Sequence, residues 1–465
     1  MTRTFDLAVV GAGPAGMAAA IAAKALGLNV LVIDEQAAPG GQIWRGVESV
    51  AATPEGAQLG ADYQAGAKVA ATLRASGVVY EPGTQLWQVE PGWRLFASRE
   101  QQADIIEAAT VLLATGAQER PAPFPGWTLP GVLTVGAAQI LLKTAAQVPD
   151  RPVWIAGCGP LPLLYAAQLL RLGGRIAGFL DTAPPGNRRA ALPHLPQALR
   201  ATGDLLKGLG WMRELRRARV PVVRHVVEIE ALGKEQVSAI RYRTSDGRER
   251  TESASMLLVH EGVVPNIHPT MALGCAHDWS DDQLCWKPTL DRWGETSLAG
   301  LFIAGDGAGI AGARAAGLRG ELAAIGIARR LGRLDEGEAD RRAGGLRRRL
   351  GRELAVRPFL DALFRPRPAV FAPHDDTVVC RCEELTARDI RAAAVGTPGP
   401  NQVKAFTRAG MGPCQGRQCG YTVSHLLAAA QKRPVSEVGF YRIRPPLKPV
   451  TLGELASLDR PETVG

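Results

Sequence analysis

The order of apolar runs and glycine turns predicts an α/β protein: two β-α-β units, the second inserted within the first, and a small C-terminal module with four cysteines. Three observations carry this. A glycine loop between two apolar runs opens the chain at 7–34. A second such unit recurs 146 residues later, counted from Gly11 to Gly157. Cys380 and Cys382 then form a C-x-C pair, followed after thirty-one residues by Cys414 and Cys419 at C-x-x-x-x-C spacing. At 465 residues the chain exceeds one ordinary domain, so two or three are expected.

Leu7–Val10 reads as a buried strand, the alanine-rich stretch after Gly16 as a helix, and Val30–Ile33 as a parallel strand ending in Asp34. Residues 109–116 give another buried strand that ends in a glycine turn. At 152–181 the pattern recurs: Pro-Val-Trp-Ile-Ala, a glycine loop, an amphipathic helix through Leu170, and a strand closing on Asp181. Leu301–Ala304 is a last strand, and an alanine-rich helix follows to about Leu331. The expected division is 1–120 with 285–331 as the first unit and 150–275 as the second. A partly helical linker rich in Arg, Gly and Pro spans 332–375, the cysteine module 376–435, and an extended proline-rich tail 436–465.

In Gly11-x-Gly13-Pro14-Ala15-Gly16 each glycine has a task. Gly11 permits the tight turn, Gly13 lets the backbone approach a pyrophosphate, and Gly16 lets helix and strand pack closely. The phosphate sits at the helix N-terminus, where unpaired N–H groups and the dipole favour an anion. Asp34, with Glu35 beside it, is placed to accept hydrogen bonds from a ribose. FAD is preferred to NAD on two further signals. Ala114-Thr115-Gly116 brings a strand end to the cofactor, and Gly305-Asp306 ends another strand with a carboxylate for the ribityl and pyrophosphate region.

The second loop, Gly157-Cys158-Gly159-Pro160-Leu161-Pro162, departs from this pattern because Pro162 stands where the third glycine belongs. Its two glycines leave room for a phosphate and Asp181 for a ribose, so NAD(P), another adenine nucleotide and a vestigial pocket stay open. Cys158 reads as a small buried residue. No redox-type cysteine pair precedes residue 380, which disfavours a disulfide reductase.

Four cysteines near a glycine-rich stretch (410–420) suit a [2Fe–2S] centre, since glycine frees backbone N–H groups to point at sulfur. Zinc is the structural alternative, although four-cysteine zinc sites generally use wider spacing on both sides than C-x-C. Cys275 and Cys285 read as structural.

Pro39-Gly-Gly-Gln-Ile-Trp-Arg45, the Ala-Thr-Gly turn and the Ala304–Ala313 segment resemble the two-dinucleotide-domain flavoproteins over nearly the whole chain. The resemblance is to the large FAD subunit of opine oxidase, D-hydroxyproline dehydrogenase and dye-linked proline dehydrogenase complexes. It extends more distantly to hydrogen cyanide synthase and the α subunit of heterotetrameric sarcosine oxidase. It implies two Rossmann-like dinucleotide-binding domains, with Gly41, Gln42 and Arg45 lying along FAD and Gly305 and Asp306 holding its ribityl-phosphate portion. The cysteine segment is similar to bacterioferritin-associated-ferredoxin-like modules. A β-type flavoprotein partner that oxidises the amine is implied as well. A small third subunit, an FMN at a subunit interface, and ATP or NAD(P) in the second pocket are further features of the relatives. The expected function is that of an electron-transferring FAD/[2Fe–2S] subunit of an amino-acid or opine dehydrogenase. A stand-alone NAD(P)H-dependent reductase and a non-catalytic scaffold subunit are the alternatives.

The seven histidines (194, 225, 260, 268, 277, 374 and 425) show no spacing that groups them with a carboxylate, so no catalytic residue is assigned and each reads as a surface or satisfied side chain. The net charge of +9 is concentrated in 340–352 and 213–224 without interleaved aromatics. A solvated linker or a docking face for an acidic partner fits it better than nucleic-acid binding. No apolar run reaches the roughly 18 residues of a membrane span, and a strand begins by about Phe5. A cytoplasmic protein is expected, with peripheral contact to the inner membrane face as a further option.

Overall fold

The computed structural model describes residues 3–458. The first sheet places Val79–Pro82, Val30–Asp34, Arg3–Val10, Gln102–Leu113 and Leu301–Ile303 in parallel, and Gln85–Glu90 and Arg94–Arg99 extend it as an antiparallel meander. Helices cover its parallel part, so Val30–Asp34 is buried along its whole length and reads as a continuous apolar run without alternation. The helices Pro14–Ala25 and Ala313–Arg330 pack against each other at very short range. A Cβ on Gly320 would lie 2.2 Å from the carbonyl oxygen of Ala15, so glycine is the residue that permits the crossing.

The second sheet is parallel throughout: Val222–Arg224, Ile176–Asp181, Val153–Gly157, Leu257–His260 and Val132–Thr134, in that spatial order. It starts well before residue 150, because its edge strand at 132–134 is too short to show a periodicity. Helices Val135–Ala145, Pro160–Arg171 and Thr202–Arg217 accompany it, with an antiparallel meander over Val226–Gly233, Val237–Thr244 and Glu249–Ser253.

The expected linker is largely helix. Glu336–Leu354 is capped by Asp335, whose side chain accepts from the Glu338 N–H, and Ala339 and Ala343 join the core of the first unit. Two of its six arginines are engaged within the chain: Arg342 with Glu338 at 2.5 Å, Arg347 with Asp340 at 2.9 Å, and the Arg347 guanidinium 4.5 Å above the Trp293 ring. These exposed pairs add little to stability and leave most of the basic run without a salt bridge inside the helix.

Helices Ala387–Ala394, Pro400–Thr407 and Gly420–Gln431 enclose the C-terminal core of Val379, Ile390, Val403, Val423 and Leu427. The tail then returns to the first unit. Leu447 N–H donates to the Trp87 carbonyl at 2.7 Å, Lys448 pairs with Glu35 at 2.5 Å, and Ala103 N–H donates to Ser457 Oγ at 2.8 Å. It is extended only in part, since Leu452–Ser457 is a helix with a capping box at Thr451 and Glu454. The end of the expected tail, 459–465, lies outside the described residues. Among the described residues no helix is long and apolar enough to cross a membrane.

Lys143 ties the two sheets together. It is 2% exposed, and its ammonium donates to the carbonyls of Gln42 (3.1 Å) and Ile43 (2.9 Å) and to Gln139 Oε1 (3.1 Å). Burial, with the Arg45 charge as a smaller cause, pushes its pKa down to about 7. Between that value and the ordinary lysine value of about 10.4 the folded protein holds fewer protons than the unfolded chain, so stability rises with pH across the window. Lys143→Met removes this slope, and urea titrations at several pH values measure its loss. Gly320→Ala forces the two helices apart and lowers stability by about 1–3 kcal/mol, the usual cost of overpacking, read from the same titrations.

Candidate functional site

Four strand ends of the first sheet converge on one edge: Gly11 follows Arg3–Val10, Asp34 closes Val30–Asp34, Ala114 follows Gln102–Leu113, and Gly305 follows Leu301–Ile303. Gly11 has φ +105°, and a Cβ there would sit 2.6 Å from the Ala114 carbonyl oxygen. On Gly16 a Cβ would lie 1.8 Å from the Gly11 oxygen, so the third glycine of the loop is fixed by backbone contact. The helix that begins at Pro14 has no side-chain cap at Gly13, which leaves its first N–H groups for an anion.

Asp34 is turned under this loop. One carboxylate oxygen accepts from Ala12 N–H at 2.5 Å and the other from Gln36 N–H at 2.7 Å, while burial raises its pKa against those two bonds. Glu35 faces away and pairs with Lys448 of the tail. The Gly40–Arg45 turn lies on the same loop: Gly41 has φ +59°, and a Cβ there would be 2.9 Å from Gly13 Cα. Arg45 bonds Gln36 and Gln42, and its Nε is buried without a partner. Trp44 is a packed aromatic, set over Gly66 with its indole N–H on the Asp62 carbonyl at 2.8 Å.

Gly116 accepts from Asn266 N–H at 3.0 Å, one residue beyond Thr115. Asp306 Oδ1 accepts from Ala311 N–H (2.9 Å) and Gly312 N–H (3.0 Å), folding the turn into the next helix. Arg319, which the sequence reading misses, steadies that turn by donating to the carbonyls of Gly305 at 3.1 Å and Gly309 at 2.5 Å. Its burial lowers its pKa. The bare glycine cradle at Gly13 and Gly41, the open helix N-terminus and the unpartnered Arg45 Nε fit the pyrophosphate of FAD.

At the second loop, Gly157 has φ +152° and its Cβ would lie 2.0 Å from the His260 carbonyl oxygen. Pro160 opens the following helix, Pro162 is buried within it, and Gly159 has φ +120°. Asp181 accepts from Ala183 N–H at 3.1 Å, and burial raises its pKa. Of two buried histidines, one is satisfied as expected and the other is not. His260 is buried with Nδ1 2.7 Å from Glu119 Oε1, a carboxylate partner that lies too far along the chain for spacing to disclose. His268 is 3% exposed with neither ring nitrogen bonded, and burial drives its pKa down to about 3.

The four C-terminal cysteines influence one another's ionisation, Cys380 with Cys419 and Cys382 with Cys414. Cys380 is lowered to about 6, first by the Cys419 thiol and further by the N–H groups of Gly410, Glu383 and Cys382. Cys419 is raised, with Tyr441 Oη 3.9 Å from its sulfur. The glycines are there for room. A Cβ on Gly412 would meet Cys382 at 2.3 Å, and on Gly410 or Gly416 the Tyr441 ring at 2.7 or 2.6 Å. Among the described residues no three His, Cys, Asp or Glu side chains converge as a single-ion site requires. A two-iron centre differs from a single-ion site in taking only two protein ligands per iron. Cys158, Cys275 and Cys285 are buried apart from this group.

The module is docked where the first sheet ends. Gln118 Nε2 donates to the Arg417 carbonyl at 3.1 Å, and Trp127 Nε1 to the Val378 carbonyl at 2.7 Å. Arg417 lies inside the Cys414–Cys419 loop, and Gln118 lies two residues after Gly116. Neither contact has a signature in local sequence.

A pyridine nucleotide-disulphide oxidoreductase domain matches residues 5–326, and a sarcosine oxidase A3 domain matches 375–458, the region of the cysteine module. The chain is 45% identical to the opine oxidase A-type chain of Rhizobium meliloti (strain 1021), over 98% of this chain and 99% of that protein. It is 32% identical to the hydrogen cyanide synthase chain HcnB of Pseudomonas protegens, over 97% of each. Among solved structures, L-proline dehydrogenase from P. horikoshii superposes with a TM-score of 0.70 at 20% identity, covering 98% of this chain and 80% of that one, a likeness of fold. The chain is therefore an oxidoreductase that belongs to the pyridine nucleotide-disulphide oxidoreductase family and, within it, to the group of opine oxidase A subunits.

Proposed function

We propose that this chain is the FAD- and [2Fe–2S]-carrying subunit of a heteromeric dehydrogenase acting on the C–N bond of an amino acid or opine. A β-type flavoprotein partner takes the electrons from substrate, and this subunit passes them to an acceptor such as a quinone on the cytoplasmic side. The observation that carries the reading is the docking of the Cys414–Cys419 loop against Gln118, immediately beyond the Gly116 turn of the flavin cleft. Whole-length similarity to opine oxidase A subunits supports the substrate class.

FAD, when bound, supplies the exchange between two-electron and one-electron transfer, and a [2Fe–2S] centre supplies a one-electron acceptor. The chain's own residues do the rest. Gly11, Gly13, Gly16 and the helix from Pro14 receive the pyrophosphate, Asp34 meets the ribose, and Asp306, steadied by Arg319, faces the ribityl portion. Cys380, Cys382, Cys414 and Cys419 would ligate iron, and the Gly410 and Glu383 N–H groups help to lower the Cys380 pKa. The buried packing of Tyr441 behind Cys419 excludes water from one side of the thiols.

Anaerobic purification with the co-encoded partner subunits is expected to give about one FAD, two irons and two acid-labile sulfides per chain, the content of a single two-iron centre. Cys382→Ser removes the iron and sulfide and leaves the flavin, whereas Cys158→Ser changes neither. Amine-dependent dye reduction requires this chain together with its flavoprotein partner. Iron and sulfide absent from fresh wild-type protein sink the relay, and full amine oxidation by the partner alone sinks the division of labour.

A further inference from the structure

In an open parallel sheet a ligand lies beyond the C-terminal strand ends, at the point where strand order reverses. In the second sheet Val153–Gly157 has Ile176–Asp181 on one side and Leu257–His260 on the other, so the reversal falls between Gly157 and His260. Cys158, Thr182 and Glu261 emerge there, at 3, 1 and 4% exposure. A crevice open to a dinucleotide would expose them.

What buries them is the chain itself. The helix Arg357–Leu363 and the residues after it come from beyond the first unit and cross the strand ends. Asn187 Nδ2 donates to the carbonyls of Leu363 (3.1 Å) and Arg365 (2.8 Å), and the Phe364 carbonyl lies 3.4 Å from the Cys158 thiol. Arg367 then enters the crevice, with Nε 3.0 Å from Glu261 Oε1 and Nη1 donating to the Val227 carbonyl at 2.7 Å. The other Glu261 oxygen accepts from Thr182 Oγ1 at 3.2 Å. Both members of the ion pair are more than nine-tenths buried, with side chains 7 and 4% exposed. A cavity of about 430 Å³ remains on the far side, walled by Thr182, His225, Arg243, Ser245 and Arg367 but by neither Cys158 nor Glu261.

We propose that the 357–369 segment is a built-in occupant of the second nucleotide crevice, with the Arg367 guanidinium on Glu261 closing it to NAD(H) and NADP(H). The second unit therefore delivers no hydride to the first, and electrons reach this chain by another route. The departure at Pro162 has its reason here: with no pyrophosphate to admit, the close approach that a third glycine permits is not needed. The inference stands on the crevice alone and holds whether or not the cysteines carry iron.

The test uses the full chain with its cofactors. Equilibrium dialysis of NADH and NADPH against wild type is expected to show no saturable binding below about 1 mM, the upper end of ordinary substrate ranges. Hydrogen exchange of 357–369 stays slow and unchanged by either nucleotide. Glu261→Gln and Arg367→Gln are expected to speed exchange in that segment at least tenfold and to raise NADH affinity by a similar factor. Micromolar binding to wild type, or deprotection of 357–369 on adding nucleotide, overturns the proposal. So does a variant whose segment opens with no gain in NADH binding, or unchanged exchange in both variants. If neither variant folds, the wild-type dialysis and exchange decide the matter alone.

Discussion

Backbone-to-backbone contact at three glycines sets the geometry on which everything else depends. Gly11 lies against the Ala114 carbonyl, Gly16 against Gly11, and Gly320 against Ala15, each at a distance that leaves no space for a Cβ. These contacts join the first strand, the first helix, the strand that ends at Leu113 and the long helix Ala313–Arg330 into one body. The four strand ends that form the nucleotide cleft are held in register by it. Because the contact is made by main chain, it fixes positions far more tightly than interlocked side chains, which can change rotamer.

The two sheets share an architecture and differ in their use of it. The first presents a bare cradle, with Gly13 and Gly41 in contact and helix N–H groups uncapped. The second presents a crevice whose Cys158 and Glu261 already meet Phe364 and Arg367 of the crossing segment, which Asn187 holds in place. A parallel α/β unit thus serves in one place as a receptacle and in another as a platform for its own chain. Lys143 and the Gly40–Arg45 turn join the two, so the flavin side of the molecule is buttressed by the second unit.

Much of the cleft is legible in the sequence because its determinants are local. Glycine loops, an acid at a strand end and an alanine-rich helix occur within about thirty residues of one another, and the strands at 3–10, 30–34, 153–157 and 176–181 fall within a few residues of the periodicity. What escapes is set by partners distant in sequence. His260 meets Glu119 across 141 positions and Arg367 meets Glu261 across 106. The helix over 336–354 is expected only as part of a partly helical linker, because its Arg and Gly content imitates one. Ala339, Ala343, Leu346 and Leu350 nevertheless recur at helical spacing and pack on the first unit's core, a stripe that weighs more than composition. Tyr441, which lines the cysteine loop, carries no signal beyond being aromatic.

The returning tail carries a consequence for how the molecule is made. Its bonds to Trp87, Glu35 and Ala103 join segments more than 350 positions apart and cannot form until residues beyond 447 have been synthesised. By then the N-terminal unit has had time to fold, since domains emerge and fold in order during synthesis. The clasp over Glu35 and Trp87 is thus the last seam to close. Whatever is loaded into the first unit or between the thiols meets a more accessible chain before that moment than after it.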